Sequence, residues 1–293
     1  MRKIPALLFI AACCIMQPVY VQGQARGTGT QSLLGDALSS MDMAFSSANT
    51  MDAEVSPADA YYLGRAVAAN ILASYKPYTQ QPELTEYVNR ICQTLAINSS
   101  QPVAYNGYHV IILDSPEFNA FASPGGHIFI TKGLVDIAAS EDMLAAVIAH
   151  ELAHIILKHS NDIINEMKFT GEMMGVASRA VDIAGKYSVN PNLLKYFQDS
   201  ITKTVDTLMR NGYSQAQEFN ADWEAMALLS NAGYDPAALI EMLKVLQRVQ
   251  NSQKGGFNTT HPSPRERIAI AEKLSYRVPD TKKYREPRFK KVK

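Results

Sequence analysis

The chain is expected to fold as a mainly α protein with a small β-sheet (α+β). Helix caps and helical apolar spacing recur along most of it, and only two short runs have strand character. Of 293 residues, 47% are hydrophobic and 19% charged, an ordinary globular balance with enough apolar side chains for a core. Formal net charge is +0, so nothing points to a nucleic-acid partner.

Residues 1–25 read as a secretory signal. Arg2 and Lys3 precede the apolar run "IPALLFIAACCIMQPVYV" and the small-residue exit "QGQA", with cleavage expected after Gly23 or Ala25. A second reading takes Ile10-Ala11-Ala12-Cys13 as a lipobox and Cys13 as a lipidated anchor. Either way the protein is expected to be exported, to the periplasm or cell envelope. Residues 26–55 are rich in Ser, Thr, Gly, Met and Asp without periodicity and read as a flexible linker.

Pro57 opens a helical pattern to about residue 74. A second follows over 83–98, where Leu84, Val88, Ile91 and Leu95 recur at helical spacing around Cys92. With Cys13 and Cys14 in the signal, Cys92 has no partner for an internal disulfide, and it reads as a core residue. "YHVIILD" and "GGHIFIT" are β-branched runs bounded by turn residues, hence strands. Ser140 caps a helix whose first turn holds Glu141 and Asp142, where negative charge suits the helix dipole.

From about 162 to 210 the pattern is helical but broken by Gly171, Gly175, Gly185 and Pro191, and it carries Met167, Met173, Met174 and Met209. It reads as a lid over a cleft or as ordinary core packing. Ser214 and Gln217 form a capping box for a helix to about Leu229, and another helix runs from Pro236 to about Gln250. After the loop "QKGGFNTTHPSP", Ser263 and Glu266 mark a further capping box and a helix to about Ser275. Residues 277–293 form a basic tail with Lys282, Lys283, Arg285, Arg288, Lys290, Lys291 and Lys293. It reads as solvated, or as drawn to an anionic surface. The tail and lipidation are the two routes to membrane-surface association.

Inside the Ser140-capped helix, "HELAH" sets His150 and His154 four residues apart, on one face, so two imidazoles can point at one ion. Glu151 sits beside them but splays away from coordination, at the place of a general base for water. The bland alternative is two histidines packed on an amphipathic helix. Against it, "AAVIAHELAHIIL" is so apolar that these polar residues need a partner if buried. His159 does not complete the set. On a continuing helix it lies ~140° off the direction of His154, which leaves a surface or C-terminal-turn histidine. "SQAQEFNADWEA" does better. Glu218 can supply a carboxylate ligand, and Asp222 can accept the spare N–H of a ligand histidine and fix its tautomer.

Four stretches, "SPEFNAFASPGGHIFITKGL", "HELAH", "EFNADWEA" and "THPSPRERI", together resemble the zinc peptidases of family M48, the HtpX-like gluzincins. They extend from about Ser115 to Ile268. The resemblance implies a gluzincin zinc-peptidase fold over residues 56–276 and one Zn2+ per chain. It implies His150, His154 and Glu218 as ligands, Glu151 as catalytic base, and Asp222 as the acid behind a ligand histidine. The implied activity is that of an envelope metalloendopeptidase acting on misfolded or unassembled proteins. Beside this stands a reading of a different class, a chaperone or assembly factor whose peptidase activity is latent.

The strand with Gly126, His127, Ile128 and Phe129 would be an edge beside the cleft, pairing with an extended protein or peptide substrate. Asn119 and Ala120, in the turn before it, either line the cleft or belong to a tight turn packing Phe118 and Phe121. His261, in a Gly/Pro/Asn/Thr loop, has two readings: a gating or substrate-side residue, or a helix-flanking histidine with no role.

Overall fold

A computed structural model of the chain describes residues 57–104, 106–160, 201–203, 205–206, 208–209, 212–249, 261, 263–274, 276 and 281–293. The expected signal, the Cys13 anchor, the linker and most of the Met-rich segment lie outside the described residues.

The elements run α1 (Pro57–Ser74), α2 (Pro82–Ile97), β1 (His109–Leu113), β2 (Ala120–Ser123), a 3-10 turn (Pro124–Gly126), β3 (His127–Thr131), α3 (Lys132–Ile137), α4 (Glu141–Ile156), α5 (Gln215–Asn231), α6 (Ala237–Val249), α7 (Pro264–Ala271) and α8 (Lys282–Val292). The architecture is mostly helical with one small sheet, as the caps and spacings lead one to expect. The Ser140 hydroxyl accepts from Met143 N at the start of α4, and Ser214 and Gln217 form a reciprocal capping box on α5. The second expected box is half made, since the Ser263 hydroxyl accepts from Arg265 N while Glu266 accepts from Gln215 on α5.

Strand alternation sorts the sheet into two faces. Val110, Ile112, Ala120, Ala122, Ile128 and Ile130 join the main core with α2, α4, α5 and α6. Leu113, Phe121 and Phe129 face the other way, into a second core with Val67, Ala68 and Ile71 of α1. Helix α4 lies in the main core with every residue buried except Ile155. Gly64 lets α1 approach the 3-10 turn: a Cβ there would sit 1.7 Å from the Pro124 carbonyl oxygen. Among the described residues no helix is long and apolar enough to cross a membrane.

Two expectations are corrected here. The sheet order is β1-β3-β2, so the strand of His127, Ile128 and Phe129 is central. It pairs in parallel with β1 and antiparallel with β2, which leaves its backbone groups no free side for a substrate. Gly126 belongs to the preceding turn. The outer edge of β1 is covered as well. The Asn89 side chain exchanges hydrogen bonds of 2.8 Å with both backbone groups of Val110, and Tyr78 N donates to Ile112 O. The other outer strand is β2, with all four residues buried; it contains Ala120 and directly follows Asn119, where a turn was expected.

The basic tail is the second correction. It is a helix, α8, that buries Arg285 and Phe289 against the body. Arg285 meets Asp142 and Arg288 meets Glu141, both in the first turn of α4. The acidic partners are distant in sequence, so the segment read as solvated.

Candidate metal centre

Two helices bring the site together. Helix α4 carries His150, Glu151 and His154 near its C-terminal end, and α5 crosses it with Glu218 and Asp222. Donor atoms of His150, His154, Glu218 and His261 all lie within 4.8 Å of one another, and all four residues are buried. The Nε2 atoms of His150 and His154 are 3.1 Å apart. Glu218 faces both, with Oε2 3.4 Å from the first and Oε1 3.5 Å from the second. His261 closes the group, its Nδ1 lying 2.8 Å from Glu218 Oε1 and its Nε2 3.9 Å from Glu151 Oε1. The sequence left His261 between two readings; the fold carries it into the cluster.

Asp222 stands behind His150, with Oδ1 3.0 Å from Nδ1. Such a contact leaves Nε2, the nitrogen facing the cluster, with its lone pair free.

His159 departs from expectation. It is buried, with Nδ1 2.8 Å from Nδ1 of His154. The helical-wheel argument assumed a continuing helix, but α4 ends at Ile156 and Lys158 takes a left-handed conformation at φ 58°. That turn swings His159 back under His154. It stays outside the four-donor group and contacts the rear of one of its rings. Tyr213 stacks on the same ring, with centroids 4.2 Å apart.

Arg267 is the residue the sequence reading missed. It is 1% exposed and enters the cluster from α7. Its Nε and Nη2 donate to the two Asp222 oxygens at 2.7 and 2.5 Å, and Nη1 lies 3.1 Å from Glu218 Oε2. A signal was present, since Pro264, Arg267, Ile268 and Ala271 share the buried face of α7. An arginine in the apolar stripe of a short helix is a charge that needs a partner. Tyr213, just before the Ser214 cap, carries no comparable signal.

The electrostatics are those of a dense buried charge cluster. Burial and Arg267 push His150 down, but the Asp222 and Glu218 contacts overcome them and raise its pKa to about 9. Burial, then the neighbouring His150, holds His154 well below the usual histidine range. Burial pushes the Glu218 carboxyl up, yet His261 and Arg267 hold it well below the usual carboxylate range. Asp222 is lowered against burial by Arg267. Glu151 moves the other way, raised by burial, and neither of its oxygens has a hydrogen-bond partner.

The residues fit zinc. Two imidazoles and a carboxylate are the nitrogen and oxygen donors of a three-residue zinc site, and His261 supplies a fourth nitrogen. The Glu151 oxygens, which have no hydrogen-bond partner among the described residues, mark a place beside the four donors where a polar ligand or water is expected.

The fold and this donor set define a metallopeptidase of the kind built on an H-E-x-x-H helix. The model of peptidase family M48 matches residues 82–275, and the chain belongs to that family. It is similar to the mitochondrial metalloendopeptidase OMA1 of Schizosaccharomyces pombe, 30% identical over 208 residues, covering 69% of this chain and 54% of the relative. The β-barrel assembly-enhancing protease of Escherichia coli is 25% identical over 199 residues, covering 67% and 39%. The metalloprotease LoiP of Escherichia coli is 28% identical over 202 residues, covering 67% and 74%. The chain thus spans about half the length of the OMA1 protein and less of the β-barrel assembly-enhancing protease.

Proposed function

We propose that the protein is a zinc-dependent metalloendopeptidase of the cell envelope that hydrolyses misfolded or unassembled proteins. The observation that carries this is the buried Glu151 carboxyl beside the four-donor cluster, its oxygens without a hydrogen-bond partner among the described residues. His150, His154 and Glu218 would hold the ion, with Asp222 fixing the His150 tautomer. Zinc, when bound, supplies a Lewis acid that polarises the scissile carbonyl and makes water acidic.

Glu151 takes the proton of the attacking water and returns it to the leaving amine; its raised pKa brings a carboxylate closer to the working range of a general base. An extended peptide would pair with β2, the outer strand that Asn119 precedes, in place of the central strand. His261, on its loop, gates the site by sharing Glu218 with the ligand histidines. Export read from the N-terminal segment supports an envelope location, as does a relative named for β-barrel assembly.

The test pairs metal analysis with cleavage of an unfolded protein. Glu151→Gln is expected to keep zinc and lower kcat by about 10²–10⁴-fold, while Glu218→Ala loses zinc. Cleavage retained by Glu151→Gln would refute the base assignment, and a wild-type chain that binds zinc without cleaving would refute the peptidase reading.

A further inference from the structure

The two helices that carry the site are tied together at the ends remote from it. Glu141 and Asp142, in the first turn of α4, are buried, and α8 supplies their counter-charges. Arg285 grips Asp142 in bidentate fashion, Nε to Oδ2 at 3.0 Å and Nη2 to Oδ1 at 2.7 Å. Its Nη1 reaches the Gly233 carbonyl at 2.9 Å, in the turn that leaves α5. Arg288 spans both Glu141 oxygens, with Nε 2.5 Å from Oε2.

The same turn completes the junction. Asp235 N donates to Asp142 Oδ1 at 2.9 Å, and Tyr234 Oη donates to Glu141 Oε1 at 3.1 Å. Tyr87, from α2, donates to Glu141 Oε2 at 2.5 Å. Arg285 therefore touches the start of α4 and the end of α5 at once. His150 and Glu218 are separated from this junction by continuous helix in each case. A shift or tilt at the junction passes along both helices to the donor atoms, because a helix in a packed core moves as a unit.

We propose that α8 is a positioning element of the metal site: Arg285 and Arg288, through Asp142 and Glu141, set the placement of α4 against α5 and with it the spacing of His150 and His154 from Glu218. Neither arginine touches the site. Both lie beyond residues 82–275, the part matched by the family model. The inference rests on the zinc-peptidase reading.

The experiment uses the full chain and compares Arg285→Gln, Asp142→Asn, their combination, and Ile71→Ala as a control that loosens the second core. The thermal midpoint of each variant is determined first, and zinc affinity by chelator competition, kcat and KM are then measured well below every midpoint. Arg285→Gln is expected to weaken zinc binding by about tenfold and lower kcat by about 10–100-fold with KM unchanged. The Arg285→Gln/Asp142→Asn pair, which removes both charges and keeps hydrogen-bonding groups, recovers part of each loss. Ile71→Ala lowers the midpoint but leaves zinc affinity and kcat intact. If Arg285→Gln matches Ile71→Ala in zinc affinity and kcat, the brace is only structural and the inference is overturned. A wild-type chain that neither binds zinc nor cleaves overturns the zinc-peptidase reading, and the inference falls with it.

Discussion

Arg267 brings a guanidinium into a space shared by two carboxylates and a histidine, where no solvent screens it. Removing one member of such a group leaves the others charged in a low-dielectric interior. Arg267→Met is therefore expected to lower stability by about 3–5 kcal/mol in urea unfolding. Arg267→Lys should recover little, because one ammonium cannot reproduce a fork that meets Asp222 and Glu218 together. A methionine variant as stable as the wild type would show the guanidinium to be dispensable. At this scale much of the site was legible. His150, Glu151 and His154 follow from spacing on one helix, whereas Glu218 and Asp222, a weak pair by themselves, stand out through the H-E-x-x-H motif before them and the family resemblance. His159 was misplaced because nothing in "LKHS" announces a left-handed lysine. His261 stayed undecided because a loop gives no direction to a side chain.

The sheet shows where local pattern stops informing. β1 and β3 were readable as β-branched runs bounded by turn residues, but their division between two cores was not. The pairing order was not, since a central and an edge strand carry the same apolar run when both faces are buried. Strand β2 is four residues with no exposed position, so "AFAS" has no alternation to betray it. The contact of α1 with the 3-10 turn is a stricter case. Gly125 there has φ 75° and would place a Cβ 2.3 Å from Tyr61 Cα, while Gly64 faces Pro124 from the helix side. Gly64→Ala is expected to force α1 outward and cost about 1–3 kcal/mol, read as a lower thermal midpoint. An unchanged midpoint would mean that the helix does not press on the turn at this place.

The whole molecule is arranged around α4, a helix with almost no solvent face that α2, α5, α6 and α8 surround. Zinc bound among residues of α4, α5 and the loop of His261 would stabilise the folded chain alone, by about 4 kcal/mol when free zinc exceeds Kd a thousandfold. A chelator should accordingly lower the thermal midpoint and added zinc restore it, an effect that Glu151→Gln keeps and Glu218→Ala loses. A midpoint indifferent to chelator would count against the metal centre. The tail was unreadable for a reason of scale, because Arg285 and Asp142 are 143 residues apart and no local pattern pairs them. That separation bears on how the protein is made. A chain growing from its N-terminus completes the histidine helix and the glutamate helix long before residues 282–293 exist. Until then Glu141 and Asp142 lack their arginines, and at that end the two helices have apolar packing and the contacts of Tyr87, Tyr234 and Asp235 N. The brace therefore forms only after the helices it ties, and a chain that has not reached residue 282 lacks it.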